Sequence, residues 1–185
     1  TLGTGVGGGL ILEGRLYRGS TGSAGEVGHT VVAAPGEKCH CGGRGCLEAY
    51  AGNYGIARTA RRLLAKNPKR GKILRRLCPD LRNLEPHHLT LAADKGDDVA
   101  REVWARTGSL LGVGIANLVL VFNPDVVLLL GGISRAGRWL LDPVKRVLGS
   151  QPFKTSFEHA SIRLAANHHG GCVGAALLAL GNRHH

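Results

Sequence analysis

Cys39, Cys41 and Cys46 fall within one short stretch, and His29 precedes the first of them by ten residues. Cysteine offers a thiolate and histidine an imidazole nitrogen. Cys-x-Cys-x4-Cys with a preceding histidine therefore supplies the ligand set of a closed, four-coordinate structural zinc site. Gly42, Gly43 and Gly45 let the short segment between ligands fold back around one ion. The alternative is a loop of three buried or redox-active cysteines, although close thiolates in a reducing compartment usually hold a metal. His40 lies between Cys39 and Cys41 and competes as fourth ligand. Reaching the same ion as both neighbours would strain the backbone there, which favours His29. Cys78 and Cys172 stand alone and read as small core residues.

Two glycine-rich stretches are the next candidates. "TLGTGVGGG" at Thr1–Gly9 puts successive glycines after the start of a strand. Exposed backbone N–H groups of such a loop can cradle phosphate oxygens, and the Thr4 hydroxyl can add to them. A plain hairpin turn is the other reading. "LLLGGISRAG" ends an apolar run at Gly131 and Gly132 and opens a helix near Ser134. Ligands of open α/β sheets sit outside the carboxyl ends of strands, so this is a second nucleotide-sized candidate.

These residues need a scaffold. The 185 residues suffice for one sizeable domain, and 43% apolar content with 29 glycines reads as ordinary α/β material. No apolar run of about 20 residues occurs, so no spanning helix is expected. Leu110–Phe122 is broken by Gly112, Gly114 and Asn117. No basic-then-apolar leader opens the chain, which points to the cytoplasm. Short strands are expected over residues 1–35: a hairpin turning at Glu13–Gly14, then "GHTVVAA" from Gly28. Residues 53–122 read as mostly helical. "IARTARRLLAK" has apolar spacing of a helix, ending before Pro68. A short helix closes at Gly96, and Asp97 or Asp98 caps a long one ending at Asn123–Pro124. "DVVLLLGG" reads as a buried strand, Trp139–Leu148 as a helix, "ASIRLAA" as a strand and "GGCVGAALLALG" as a final helix. No role is expected of His184 and His185.

Together, "LGTGVGGGL", "AGEVGH", "CHCGGRGCLE" and "NPDVVLLLGG" resemble the ROK family of bacterial sugar kinases and sugar-responsive repressors. The resemblance extends over nearly the whole chain, and Glu-x-Gly-His before Cys-x-Cys-x4-Cys is its most specific part. It implies an α/β fold: an actin-like ATPase lobe with ribonuclease-H-like topology, a zinc-binding loop over 29–46 and a helical insert. It implies that Glu26, His29 and Glu48 contact sugar hydroxyls. It also implies that Gly3, Thr4, Gly5 and Gly7 belong to a phosphate loop and that Gly131 and Gly132 face adenosine. His29 would serve twice, one ring nitrogen on zinc and the other toward the sugar, with coordination fixing the ring. The zinc, having no open position, would act through geometry alone.

In that family a first phosphate loop, Asp-x-Gly-Gly-Thr, and an Asn-Asp pair supplying the base lie in an amino-terminal lobe. Neither motif occurs here. Residues 1–185 are therefore expected to be the carboxy-terminal lobe, without a catalytic residue of its own and inactive by itself. The parent would be a glucokinase-like enzyme using ATP with Mg on a hexose, as a homodimer. A sugar-sensing repressor of the same family, the case that would involve nucleic acid, is the first alternative. The second is a polyphosphate-dependent glucokinase. It is suggested by the net charge of +11 and the basic run Arg58, Arg61, Arg62, Lys66, Lys69, Arg70, Lys72, Arg75 and Arg76. A solvated helix face is the commoner explanation of that run, and it carries no aromatic residue for base stacking.

Overall fold

The computed structural model describes residues 1–165 and 170–181; His184 and His185 lie outside them. Glu13 and Gly14 both take positive φ, 51° and 75°. That is the backbone of a two-residue turn whose twist suits paired strands. It joins β1 (Leu10–Leu12) to β2 (Arg15–Tyr17), antiparallel, with Ile11 opposite Leu16.

The strand expected from Gly28 does not form. Val27–His29 is a 3-10 turn, and Val31 makes a single bridge with Cys46. Val32 N–H donates to Gly45 O (2.8 Å) and Leu47 N–H to Thr30 O (2.9 Å). After that one rung the returning segment turns into α1 (Glu48–Ala51), so no second rung is available.

Helices fill the middle. α2 (Asn53–Lys66) buries Ile56, Ala60, Leu63 and Leu64 on one face and stops before Pro68. α3 (Lys72–Leu77) was not anticipated individually. α4 (Pro86–Asp94) begins with proline at its first position, where the missing N–H costs nothing. α5 (Asp98–Phe122) is the axis of the molecule. Asp97, 3% exposed, caps it by accepting from Ala100 N–H. The same carboxylate accepts from Ile73 N–H and Leu74 N–H, all three at 3.0 Å. One buried side chain thus satisfies the first amides of two helices.

Contrary to the sequence expectation, α5 is long and apolar enough to cross a membrane by length and composition. It lies within the core: Val99, Val103, Trp104, Leu111, Ile115 and Val119 are buried, and α1, α2, α4, α6 and α7 pack around it. The glycines that interrupt its apolar run are contact points. A Cβ on Gly112 would stand 2.8 Å from Val147, and one on Gly114 2.8 Å from Leu47. The second fit seats the residue between Cys46 and Glu48 against the central helix.

β3 (Val126–Leu129) pairs parallel with β4 (Ser161–Leu164), Val127 opposite Ile162. α6 (Arg138–Gly149) and α7 (Lys154–His159) make the crossover that parallel pairing requires. β3 is not the fully buried strand expected, since Val126 and Leu128 are about half exposed. Among the described residues β3 pairs with β4 alone, and the face that carries Val126 and Leu128 stays uncovered. α8 (Gly170–Gly181) closes the described chain. At the other end, Leu2 N–H donates to Leu130 O (2.7 Å) and Ile133 N–H to Leu2 O (3.2 Å). These bonds set the opening residues beside Gly131–Gly132.

Candidate metal and ligand site

The loop from His29 to Cys46 folds back on itself through a bridge between Lys38 and Arg44, with Cys39 N–H donating to Gly43 O (2.9 Å). Cys39 and Cys46 are carried inside, Cys41 and His29 stay at the surface, and no disulfide joins them. One ligand atom from each of these four residues lies within 4.8 Å of the others. Cys41 Sγ and Cys46 Sγ are 3.8 Å apart, as are Cys39 Sγ and His29 Nδ1. Two ligands held about 2.3 Å from one tetrahedral ion stand about 3.8 Å apart. The spacing fits a metal. His40 is elsewhere: its ring stacks on Tyr54, centroids 3.8 Å apart at 17°. Cys78 is buried and donates to Asp80 O (3.2 Å), while Cys172 is exposed on α8.

The electrostatics of the thiols point the same way. Burial pushes the Cys46 thiol up to about 12, and the neighbouring Cys41 and Cys39 add to it. At Cys39 burial also opposes the thiolate, but hydrogen bonds from Tyr54, from Cys41 and from His29 outweigh it and bring the thiol down to about 7. Thiols this close cannot all ionise unaided, because each thiolate raises the cost of the next. A divalent cation among them would supply the missing positive charge.

His29 joins this cluster to a cleft. Its Nδ1 faces Cys39 while its Nε2 lies 3.8 Å from Glu26 Oε2. The cleft, about 370 Å³, is lined by Thr1, Gly3, Thr4, Gly5, Val6, Gly7, Glu26, His29 and Glu48. The sequence candidates for sugar and phosphate contacts thus share one wall-to-wall space, except Gly131 and Gly132. Those flank it: Gly131, at φ 101°, lets the backbone of Leu2 approach where a Cβ would collide, and Gly132 is open. Within the glycine loop, Gly3 N–H donates to Gly5 O (3.0 Å) and Gly7 N–H to Thr1 O (3.1 Å). Among the described residues, the amides of Thr4 and Gly5 have no protein acceptor, which is the condition for binding an anion.

Several contributors escape a reading of the sequence. Glu48 Oε2 accepts from Val6 N–H (3.1 Å), so the carboxylate pins the glycine loop. A side chain on Gly5 would overlap that oxygen, and one on Gly28 would overlap Val6 O. Tyr54 brings its hydroxyl to 3.4 Å from Glu48 Oε1 and 3.5 Å from Cys39 Sγ. A tyrosine eight residues after Cys46 is the one available signal.

Part of the basic run is occupied. Arg58 donates to Ala49 O (2.6 Å) and pairs with Glu37, as does Arg62. Arg61 donates to Leu81 O (3.1 Å) and Arg75 to Leu64 O (2.9 Å). Arg70 pairs with Asp98 and Glu102. These arginines tie segments of the helical region together, and three of them, Arg58, Arg62 and Arg70, spend their charge on carboxylates.

Comparison with known proteins gives consistent results. The ROK family profile matches residues 1–182. The glucokinase of Thermotoga maritima is 39% identical over 147 residues, covering 78% of this chain and 45% of that protein. The DNA-binding transcriptional dual regulator NagC of Escherichia coli K12 is 32% identical over 179 residues, 94% of this chain and 41% of that protein. In structure, a ROK family glucokinase from Streptomyces griseus, in complex with glucose and AMPPNP, superposes with a TM-score of 0.85 at 34% identity. It covers 96% of this chain and 58% of that one. The chain therefore spans about half the length of the relatives it matches.

Proposed function

This chain belongs to the ROK family, and from that premise we propose that it is the carboxy-terminal lobe of a glucokinase-like sugar kinase. The reaction is transfer of the γ-phosphoryl group of ATP, with Mg, to a hexose hydroxyl. One observation carries the reading: the glycine-loop amides and the Glu26–His29–Glu48 group open onto a single cleft. Unpaired amides suit phosphate oxygens, and carboxylates with an imidazole suit sugar hydroxyls. In this assignment Gly3, Thr4, Gly5 and Gly7 hold phosphate, Gly131 and Gly132 border the adenosine, and Glu26, His29 and Glu48 orient the hexose. Zinc is held by His29, Cys39, Cys41 and Cys46 and fixes the imidazole, leaving Nε2 for the sugar side. No residue of this chain is assigned as the base. Phosphoryl transfer needs one to orient the nucleophile, and it would come from outside these residues.

A repressor of the same family is the second reading, favoured by the similarity to NagC over 94% of the chain. A polyphosphate donor is the third reading, resting only on the basic run, of which Arg58, Arg62 and Arg70 are paired with carboxylates.

The test uses the protein that carries this lobe together with its remaining half. ATP-dependent formation of a hexose phosphate supports the kinase, hexose binding without transfer supports the repressor, and no hexose binding overturns both. In the same protein Glu26→Gln lowers hexose affinity by about tenfold or more, since one hydroxyl then meets a donor where it met an acceptor. Nucleotide affinity, measured alongside by calorimetry, stays unchanged; equal loss of both would make Glu26 a structural residue.

A further inference from the structure

Glu48 touches both halves of the site. Its Oε2 accepts from Val6 N–H in the glycine loop, at 3.1 Å. Its Oε1 stands 3.7 Å from Cys39 Sγ. The Tyr54 hydroxyl closes a triangle with these two atoms, 3.4 Å from Oε1 and 3.5 Å from Sγ.

The triangle links the ligand cluster to the cleft. A metal-bound cysteine is a thiolate and can only accept. Two anionic acceptors then face each other across 3.7 Å. Among the described residues, Tyr54 supplies the hydroxyl proton within reach of both. The ring is held for that task. His40 stacks on one face, the Arg58 guanidinium lies 5.8 Å from the ring centroid, and the residue sits in the first turn of α2.

We propose that Tyr54 is a positioning residue whose hydroxyl bridges the Cys39 thiolate and the Glu48 carboxylate. Metal loading of the His–Cys cluster thereby sets where Glu48 stands in the cleft and, through Val6 N–H, where the glycine loop stands. The coupling rests on the metal reading given above. The contact between Tyr54 and Glu48 does not.

Tyr54→Phe keeps the ring, the stack and the packing and removes only the hydroxyl. Wild type and variant are titrated with Co²⁺, following the thiolate-to-cobalt charge-transfer band, and separately with diamagnetic Zn²⁺, following the amide resonance of Val6. The variant is expected to take one cobalt with about 10- to 100-fold lower affinity, as for other partners of metal ligands. Its charge-transfer band is displaced, and the Val6 shift that accompanies loading in wild type is reduced. Identical affinity, band and Val6 response in both proteins would overturn the proposal. A wild type that takes no cobalt sinks the metal reading and the coupling with it; a wild type that loads normally while Tyr54→Phe changes nothing sinks the role of Tyr54 alone. Glu48→Gln gives a second route that leaves Tyr54 in place. It too should reduce the Val6 response, and adding Tyr54→Phe should then change that response no further. Independent, additive effects would mean that the two residues do not act as one link.

Discussion

Residues 1–52 and residues 53–149 are built on different principles. The first region holds the cleft and the thiol cluster but little regular structure: two three-residue strands, a 3-10 turn and a four-residue helix. Its interior is small, with Cys39, Cys46 and Ala49 forming a separate cluster beside Tyr50. Single backbone hydrogen bonds hold its shape around four side chains that could ligate one metal ion. The second region is a helical core around α5, with Trp104, Leu111, Leu140 and Val144 buried together. Apolar packing is non-directional and tolerates small displacement. Hydrogen bonds and coordination fix atoms at set distances, which is what a binding site needs. The helical region supplies stability, and Leu2, Val6, Leu47 and Ala51, buried in the same apolar cluster as Trp104 and Leu140, lend it to the site; Leu47 does so directly against Gly114 of α5.

Removing metal should divide the two regions most sharply. Structural zinc contributes about 10–16 kcal/mol of apparent binding energy in zinc-finger peptides, where it drives folding. Here the helical core has its own apolar interior, so chelation, or Cys41→Ser, is expected to release only the loop. Hydrogen exchange would show lost protection at Gly45 and Leu47, whose amides bond to Glu37 O and Thr30 O, while α5 amides stay protected. Unfolding of both regions together would break the comparison.

Trp104→Ala tests the other side. Trp104 is fully buried, and truncating such a side chain costs about 3–5 kcal/mol. The urea midpoint should fall accordingly, while the folded fraction still binds one metal ion. A loss below about 1 kcal/mol would mean that the core is not what holds the helices.

The difference between the regions also explains what the sequence reveals. Helical periodicity survives in α2, α5 and α6 because each buries a long stripe, and a stripe is visible in one dimension. Glu13–Gly14 announces the hairpin because a polar pair separates two apolar runs, and both positions do take positive φ. α3 and α7, six residues each, are too short to show a period. The β-branched run Thr30–Val31–Val32 reads as strand, yet the returning segment offers it one rung. Cysteine spacing marks the cluster, since chelation of one ion constrains ligand separation. Tyr54 and the Val6 amide stay hidden, because their part is fixed by the fold and not by neighbours in sequence.

Asp97→Ala should cost less than Trp104→Ala but still about 2 kcal/mol or more. The carboxylate is buried and accepts three amides, from Ala100, Ile73 and Leu74. Loss of an N-cap costs about 0.5–2 kcal/mol, and the amides of α3 lose their acceptor in the same step. Asp97→Asn should recover part of the loss, because the amide oxygen still accepts. If both variants are as stable as wild type by urea denaturation, the double cap is dispensable.

The smallest effect belongs to the surface charges of the helical region. Glu102 accepts from Arg70 (2.8 Å) and from Arg106 (2.6 Å). Burial raises the Glu102 carboxyl, but the two arginines outweigh it and hold it below its ordinary value. A carboxyl depressed in the folded state stabilises the fold above its unfolded pKa, about 4.3, and that contribution fades as pH falls through the folded value. Glu102→Gln should therefore cost about 0.5 kcal/mol near pH 7, the scale of partly exposed ion pairs. The gap to wild type should close as pH falls from about 5 toward 3, and it should narrow in high salt. A gap that persists at pH 3 would assign Glu102 a packing role. Each surface pair of the helical region thus adds a small, separable increment, whereas the four candidate ligands of the thiol cluster would have to hold an ion together.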